Sequence, residues 1–210
     1  MPTAAVNGIR LEYESFGPEA APAILLIMGL GAQMIRWNRE LCDLLVARGY
    51  RVIRFDNRDC GRSSRCDGFD LPRIGAALRS GTLVTAPYTL EDMAADSLGL
   101  LDTLGVARAH IVGASMGSAI GQIIAARHPG RTLSLTSIMS SSGNPLLPPP
   151  TALAAMALFA PLPPSLDKAS MVADGIRRHR ALASPGYPTD AADLERLFSS
   201  EYDRGFNPAG

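Results

Sequence analysis

The chain is poor in cysteine: Cys42, Cys60 and Cys66 are an odd set of three in 210 residues. They lack both the spaced pairs of a zinc site and the density of a disulfide scaffold, so no metal is expected and a reducing, cytoplasmic setting follows. The chain also lacks an excess of either charge, with 20 lysines and arginines against 20 aspartates and glutamates. No electrostatic pull towards nucleic acid or an anionic membrane surface is therefore expected, and a small neutral substrate fits better. No segment keeps about 18 apolar residues in a row, and Met1-Pro2-Thr3-Ala4-Ala5 opens without a basic stretch leading into an apolar one. Neither a membrane span nor a secretory signal is expected on that pattern. Histidine is scarce as well, limited to His110, His128 and His179.

What is present is 47% apolar residues, enough for one sizeable core. Val6-Asn7-Gly8-Ile9 reads as a hairpin turn, and alternation of Ile9, Leu11 and Tyr13 with Arg10, Glu12 and Glu14 gives the second strand one wet face. Ala23 to Met28 is continuously apolar and ends in Gly29-Leu30-Gly31, as a strand buried on both faces would before a tight turn. Trp37, Leu41, Leu44 and Leu45 fall at helical spacing ahead of Gly49, a candidate C-terminal cap. Arg51 to Asp56 follows as a strand, and Thr89-Leu90-Glu91-Asp92 as a capping box opening a helix that closes at Gly105. Ala109 to Gly113 is a strand, Met116 to Arg127 a helix, and Thr132 to Met139 a strand. This alternation predicts an α/β fold, a mostly parallel sheet flanked by helices.

Past Gly143 the character changes. Pro145, Pro148, Pro149 and Pro150 precede the apolar segment Ala152 to Leu162, and helices are expected near Asp167 to Leu182 and Asp190 to Tyr202. The expected organisation is a core over residues 1–143 and a helical cap or lid over 144–210. The apolar cap segment points to a lipophilic pocket, although such a stripe also serves plain packing.

Gly113-Ala114-Ser115-Met116-Gly117 matches G-x-S-x-G between an apolar strand and a helix, the context in which that motif makes a nucleophile elbow. The sharp turn exposes the serine in a strained conformation, while Gly113 and Gly117 let neighbouring elements pass closely. Ser115 would also sit at a helix N-terminus, where free N–H groups favour developing negative charge. In such a site the oxyanion donors are the N–H after the nucleophile, here Met116, and one in the loop after an earlier strand, here Leu30. The alternative is a tight glycine-rich connection with no chemistry. Asp56 to Ser63 reads as a solvated turn in which Asp56 and Arg58 brace neighbouring backbone. Cys60 and Cys66 lie near, but a cysteine nucleophile would need a base that nothing indicates.

The Gly-x-Gly turn, the segment Asp56-Asn57-Arg58-Asp59-Cys60-Gly61-Arg62-Ser63 and the Gly-x-Ser-Met-Gly elbow resemble the α/β-hydrolase superfamily, and within it the aclacinomycin methylesterase branch. The resemblance covers residues 1 to about 143 well and the cap loosely. It implies hydrolysis of a small apolar carboxylic ester, with a methyl ester as one candidate, through an acyl-enzyme on Ser115 and without metal or organic cofactor. A cofactor-free haloperoxidase or a lactonase would use the same elbow.

The superfamily order is serine, then acid, then histidine. Residues 140–150 hold no Asp or Glu. His110 lies inside the strand leading to the elbow, and His128 is displaced by about 20 Å along the following helix. His179, in Arg177-Arg178-His179-Arg180, reads as a solvated basic face, with a catalytic base as the lesser alternative. General base and acid are therefore not found in this chain, which reads as C-terminally truncated, with the last strands missing and the strand ending at Met139 left as an edge open to self-association. The rival reading is a noncatalytic ligand-binding protein that keeps the hydrolase pocket.

Overall fold

A computed structural model describes residues 1–66, 87–144, 146–148 and 151–207. Of the proline cluster, Pro145, Pro149 and Pro150 lie outside the described residues, as does the stretch 208–210. The chain divides into two compact units, Met1–Ser142 and Gly143–Pro208.

The first unit carries a six-stranded sheet among its described residues: β1 (Thr3–Val6), β2 (Ile9–Phe16), β3 (Ala23–Ile27), β4 (Arg51–Phe55), β5 (Ala109–Ala114) and β6 (Thr132–Ile138). Their spatial order is β1-β2-β4-β3-β5-β6. The first two strands form the expected hairpin, with Asn7 and Gly8 both at positive φ in the turn and Val6 facing Ile9. β2 pairs antiparallel with β4, and every later pairing is parallel. Among the described residues three helices connect the parallel strands: α1 (Arg39–Ala47), α2 (Leu90–Thr103) and α3 (Met116–Arg127).

β3 is buried along its whole length because both faces are covered. Leu25 and Ile27 pack with Ile53, Phe55, Ile111 and the apolar side of α2 and α3, while Ile24 and Leu26 pack with Val52, Trp37 and Cys42 towards α1. This two-sided burial explains the unbroken apolar run in the sequence. The capping box forms as expected, with Thr89 accepting from the Asp92 N–H and the Asp92 carboxylate accepting from the Thr89 N–H. Gly49 takes the positive φ that its C-cap position asks for.

Two local expectations are corrected. The first helix begins at Arg39 behind an Asn38 cap, and Trp37 ends a short 3₁₀ turn at Met34–Arg36, so the helical spacing from Trp37 mixed two elements. Glu12 is buried rather than wet: the loop through Ser63 covers it, Ser63 Oγ accepting from the Glu12 N–H (3.0 Å) and donating to the Asp56 carbonyl (2.6 Å), and Arg62 lies 3.6 Å from the Glu12 carboxylate.

β6 pairs with β5 alone among the described strands and ends at Ile138, just before Met139, which has a φ of 54°. The second unit is helical where described: α4 (Ala152–Phe159), α5 (Lys168–Leu182) and α6 (Ala191–Gly205). Its small core joins Val172, Leu194 and Phe198, and Gly175 lets α5 approach the Phe198 ring. Arg178 ties α5 to the end of α4 through the carbonyls of Ala157 and Ala160. Among the described residues no helix is long and apolar enough to cross a membrane.

Candidate active site

Parallel pairing of β4, β3 and β5 sends three loops off one edge of the sheet: 28–31 after β3, 56–63 after β4, and Ser115 after β5. Ligand crevices in open α/β sheets lie outside this carboxyl edge.

Ser115 has φ 53° and ψ −121°, a left-handed backbone in which an L-residue is strained by about 1–3 kcal/mol. Three hydrogen bonds hold it there. Its N–H donates to the Ile138 carbonyl (2.8 Å), and its carbonyl accepts from the N–H groups of Ser118 (2.9 Å) and Ala119 (3.3 Å) in the first turn of α3. The glycines on either side make the turn sterically possible: a Cβ on Gly113 would lie 2.2 Å from the Gly117 carbonyl oxygen, and one on Gly117 would lie 2.2 Å from that of Ile27. Gly29 is constrained less severely, since a Cβ there would stand 3.0 Å from Ser115 Cβ. The Gly29-Leu30 turn therefore lies directly against the serine.

The Leu30 and Met116 N–H groups donate to no hydrogen bond within the described part of this unit. Both residues line a cleft of about 380 Å³, together with Gly29, Asn57, Tyr88 and Met93. Ser115 is half-buried at the end of α3, whose N-terminal dipole favours negative charge. The arrangement supplies a constrained hydroxyl, two unsatisfied donors and a largely apolar wall.

The 56–63 loop braces this edge more tightly than a solvated turn would. Asp56 is fully buried; its carboxylate accepts from Met34 N–H (2.7 Å) and Arg62 N–H (3.1 Å), and Gly61 sits against it with no room for a Cβ. Arg58 departs from expectation, because its guanidinium forks onto Asp96 at 2.7 and 2.8 Å and lies 4.7 Å from the Tyr88 ring centre instead of bracing backbone. Burial alone would lower the Arg58 pKa; the Asp96 carboxylate outweighs it and holds the pKa above its ordinary value. Burial, then the hydrogen bond to Asp59, push the Tyr88 phenol upward. Burial also raises the Cys66 thiol, which makes a thiolate nucleophile there scarcer. Cys60 lines the cleft but is buried.

None of the described side chains of this unit hydrogen-bonds Ser115 Oγ. His110 bonds Ser134 Oγ (2.8 Å) and packs on Tyr50, and His128 terminates α3 at the end opposite Ser115. His179 belongs to the second unit, where its ring is 3.4 Å from Thr189 and packs on Phe198. Among the described residues no group of His, Cys, Asp and Glu is arranged to hold a metal ion. The sequence reading missed Asn57, Tyr88 and Met93 as cleft residues; only their closeness to recognised motifs would have marked them.

A family model described as alpha/beta hydrolase fold matches residues 22–183. The chain is 38% identical over 144 residues to the rhodomycin D methylesterase DnrP of Streptomyces peucetius, a match covering 68% of this chain and 43% of that protein. It is also 38% identical over 125 residues to a putative carbamate hydrolase RutD of Variovorax paradoxus, covering 60% of this chain and 40% of the relative. The matched part of this chain thus spans 43% and 40% of the length of these two relatives. Among solved structures, the enol-lactonase from Burkholderia xenovorans LB400 superposes with a TM-score of 0.60 at 26% identity, over 99% of this chain and 71% of that one. A hydrolase from Pseudomonas aeruginosa PA01 gives 0.64 at 26% identity, over 99% and 68%. With a family model matched over most of its length and the sheet, elbow and crossovers that the family name denotes, the chain belongs to the α/β-hydrolase fold family.

Proposed function

We propose that this chain carries the nucleophile and oxyanion site of a serine esterase. The observation that carries the proposal is the strained Ser115 at the start of α3, set against a turn whose Leu30 N–H, like that of Met116, has no partner among the described residues of its unit. Strain of this kind is costly to keep and has a use when a hydroxyl must be presented to an electrophile.

In the proposed reaction Ser115 Oγ attacks the ester carbonyl as its proton passes to a base. The carbonyl π electrons move to oxygen, and the Leu30 and Met116 N–H groups stabilise the oxyanion. Collapse expels the alcohol, which takes the proton from the base, and water then cleaves the acyl-enzyme by the same route. His110 and His128 are turned to other partners or stand at the wrong end of α3, so base and acid are assigned to residues beyond the first unit's described side chains, in a longer parent chain or another subunit. The apolar cleft and the methylesterase relative support a small apolar carboxylic ester, a methyl ester among the candidates. The second unit is proposed as a cap or lid, and the β6 edge as a surface for self-association. A cytoplasmic setting rests on the three free cysteines.

A noncatalytic ligand-binding protein is the alternative, favoured by the positions of His110 and His128. Purified chain and its Ser115→Ala variant, incubated with a fluorescent fluorophosphonate and with p-nitrophenyl butyrate, separate the two. Labelling and hydrolysis that vanish with Ser115→Ala support the esterase; a folded sample with neither supports the binding protein.

A further inference from the structure

Asn57 is buried on the wall of the cleft, and its Nδ2 lies 2.9 Å from the carbonyl oxygen of Met28. A carbonyl only accepts, so the amide must present its NH₂ there. Met28 is the last residue before Gly29-Leu30, a turn packed so closely on the elbow that a Cβ added to Gly29 would stand 3.0 Å from Ser115 Cβ. One further hydrogen bond closes this turn, from the Ala32 N–H to the Gly29 carbonyl (3.2 Å). At its other end Asn57 is fixed in the buried 56–63 loop, where its own carbonyl accepts from Cys60 N–H (3.1 Å).

We propose that Asn57 is a positioning residue for the oxyanion donor: by donating to the Met28 carbonyl it sets the plane of the peptides that follow and aims the Leu30 N–H. This rests on the assignment of Leu30 and Met116 as oxyanion donors. Of the two donors, Met116 is held by helix α3 itself, whereas Leu30 sits in a turn with 66% of its residue surface exposed and needs an external tether. Asn57 is that tether, spanning 29 positions of sequence.

Asn57→Asp is the test, because it keeps the shape and removes the donor. An ionised carboxylate would repel the Met28 carbonyl; a protonated one donates to it again, and burial raises the carboxyl pKa so that the change falls at accessible pH. Two readouts are taken between about pH 5 and pH 8. The first is amide hydrogen exchange of Ala32 by NMR, with Ser118, whose N–H bonds the Ser115 carbonyl, as an internal reference. At high pH, Asn57→Asp is expected to lose about tenfold of Ala32 protection relative to wild type with Ser118 unchanged, and to regain it on acidification. The second is fluorophosphonate labelling: the maximal rate falls about 10–100-fold at high pH while the half-saturating concentration holds, less than the ~100–1,000-fold for deleting an oxyanion donor outright, because the Leu30 N–H is misaimed and not removed. Unchanged Ala32 protection at every pH overturns the tether, whatever the labelling does. Lost protection with labelling that is undiminished and still depends on Ser115 also overturns it, because the turn then moves without affecting the oxyanion. Labelling of wild type that does not depend on Ser115 instead refutes the esterase assignment, and the aiming role with it.

Discussion

Replacing Ser115 with glycine is expected to stabilise the protein. At φ 53° and ψ −121° the serine sits in a region that costs an L-residue about 1–3 kcal/mol. Glycine enters this region freely, but it loses more chain entropy on folding, about 0.4–1 kcal/mol. The difference is a net gain of about 1 kcal/mol, and for a chain of this size that raises Tm by about 2–4 °C. Ser115→Ala is the comparison, because it removes the same oxygen but keeps Cβ and with it the strain. Oγ has no hydrogen-bond partner among the described residues of its own unit, so its removal alone should change little. Thermal melts followed by circular dichroism at equal protein concentration give the comparison directly, and both variants should fail to take up fluorophosphonate. A Ser115→Gly protein that melts at or below Ser115→Ala would refute the strain assignment, and with it the main physical ground for calling Ser115 a nucleophile.

Gly117→Ala would push a Cβ to 2.2 Å from the Ile27 carbonyl oxygen and 2.6 Å from that of Met28, both backbone atoms with little room to yield. A loss of about 3 kcal/mol is expected in urea unfolding, at the upper end of overpacking costs, against almost none for Gly130→Ala, whose Cβ would meet nothing within 4 Å. Asp96→Ala strips the buried Arg58 guanidinium of its partner and should cost about 3–5 kcal/mol, while Asp43→Ala, at the exposed Arg39 pair, should cost about 0.3–0.5 kcal/mol. Equal losses for the two would mean that the Arg58 pair is solvated. Hydrogen bonds from the Thr89 backbone and hydroxyl lower the Asp92 pKa, so its capping contribution is complete above the ordinary carboxylate range and is lost as pH falls through the lowered folded value. Acid unfolding of Asp92→Asn should accordingly show a shallower pH dependence than wild type over that window, and identical profiles would remove the capping box as its source.

Where a structural feature depends on neighbours within about one turn of chain, it was legible in the residues. The Asn7-Gly8 hairpin, the Thr89–Asp92 box, the Gly49 cap and the Gly113 to Gly117 elbow all answer to local sterics and local hydrogen bonding. The two-sided burial of β3 was legible too, because only a strand covered on both faces tolerates an unbroken apolar run. Local rules failed where partners arrive from far along the chain. Arg58 meets Asp96 38 positions away, Asn57 meets the Met28 carbonyl 29 positions away, and Glu12 is covered by a loop some 50 residues later. A charged or amide side chain states what it can bond, but not what folding will bring to it, so a run such as Asp56 to Ser63 looks like a wet turn until parallel pairing stacks three loops at one sheet edge. By itself, then, the sequence determined the elements, their alternation and the serine at the elbow, since those follow from short-range physics. Only the tertiary structure decided which polar groups became the buried scaffold of the cleft, since that depends on long-range register.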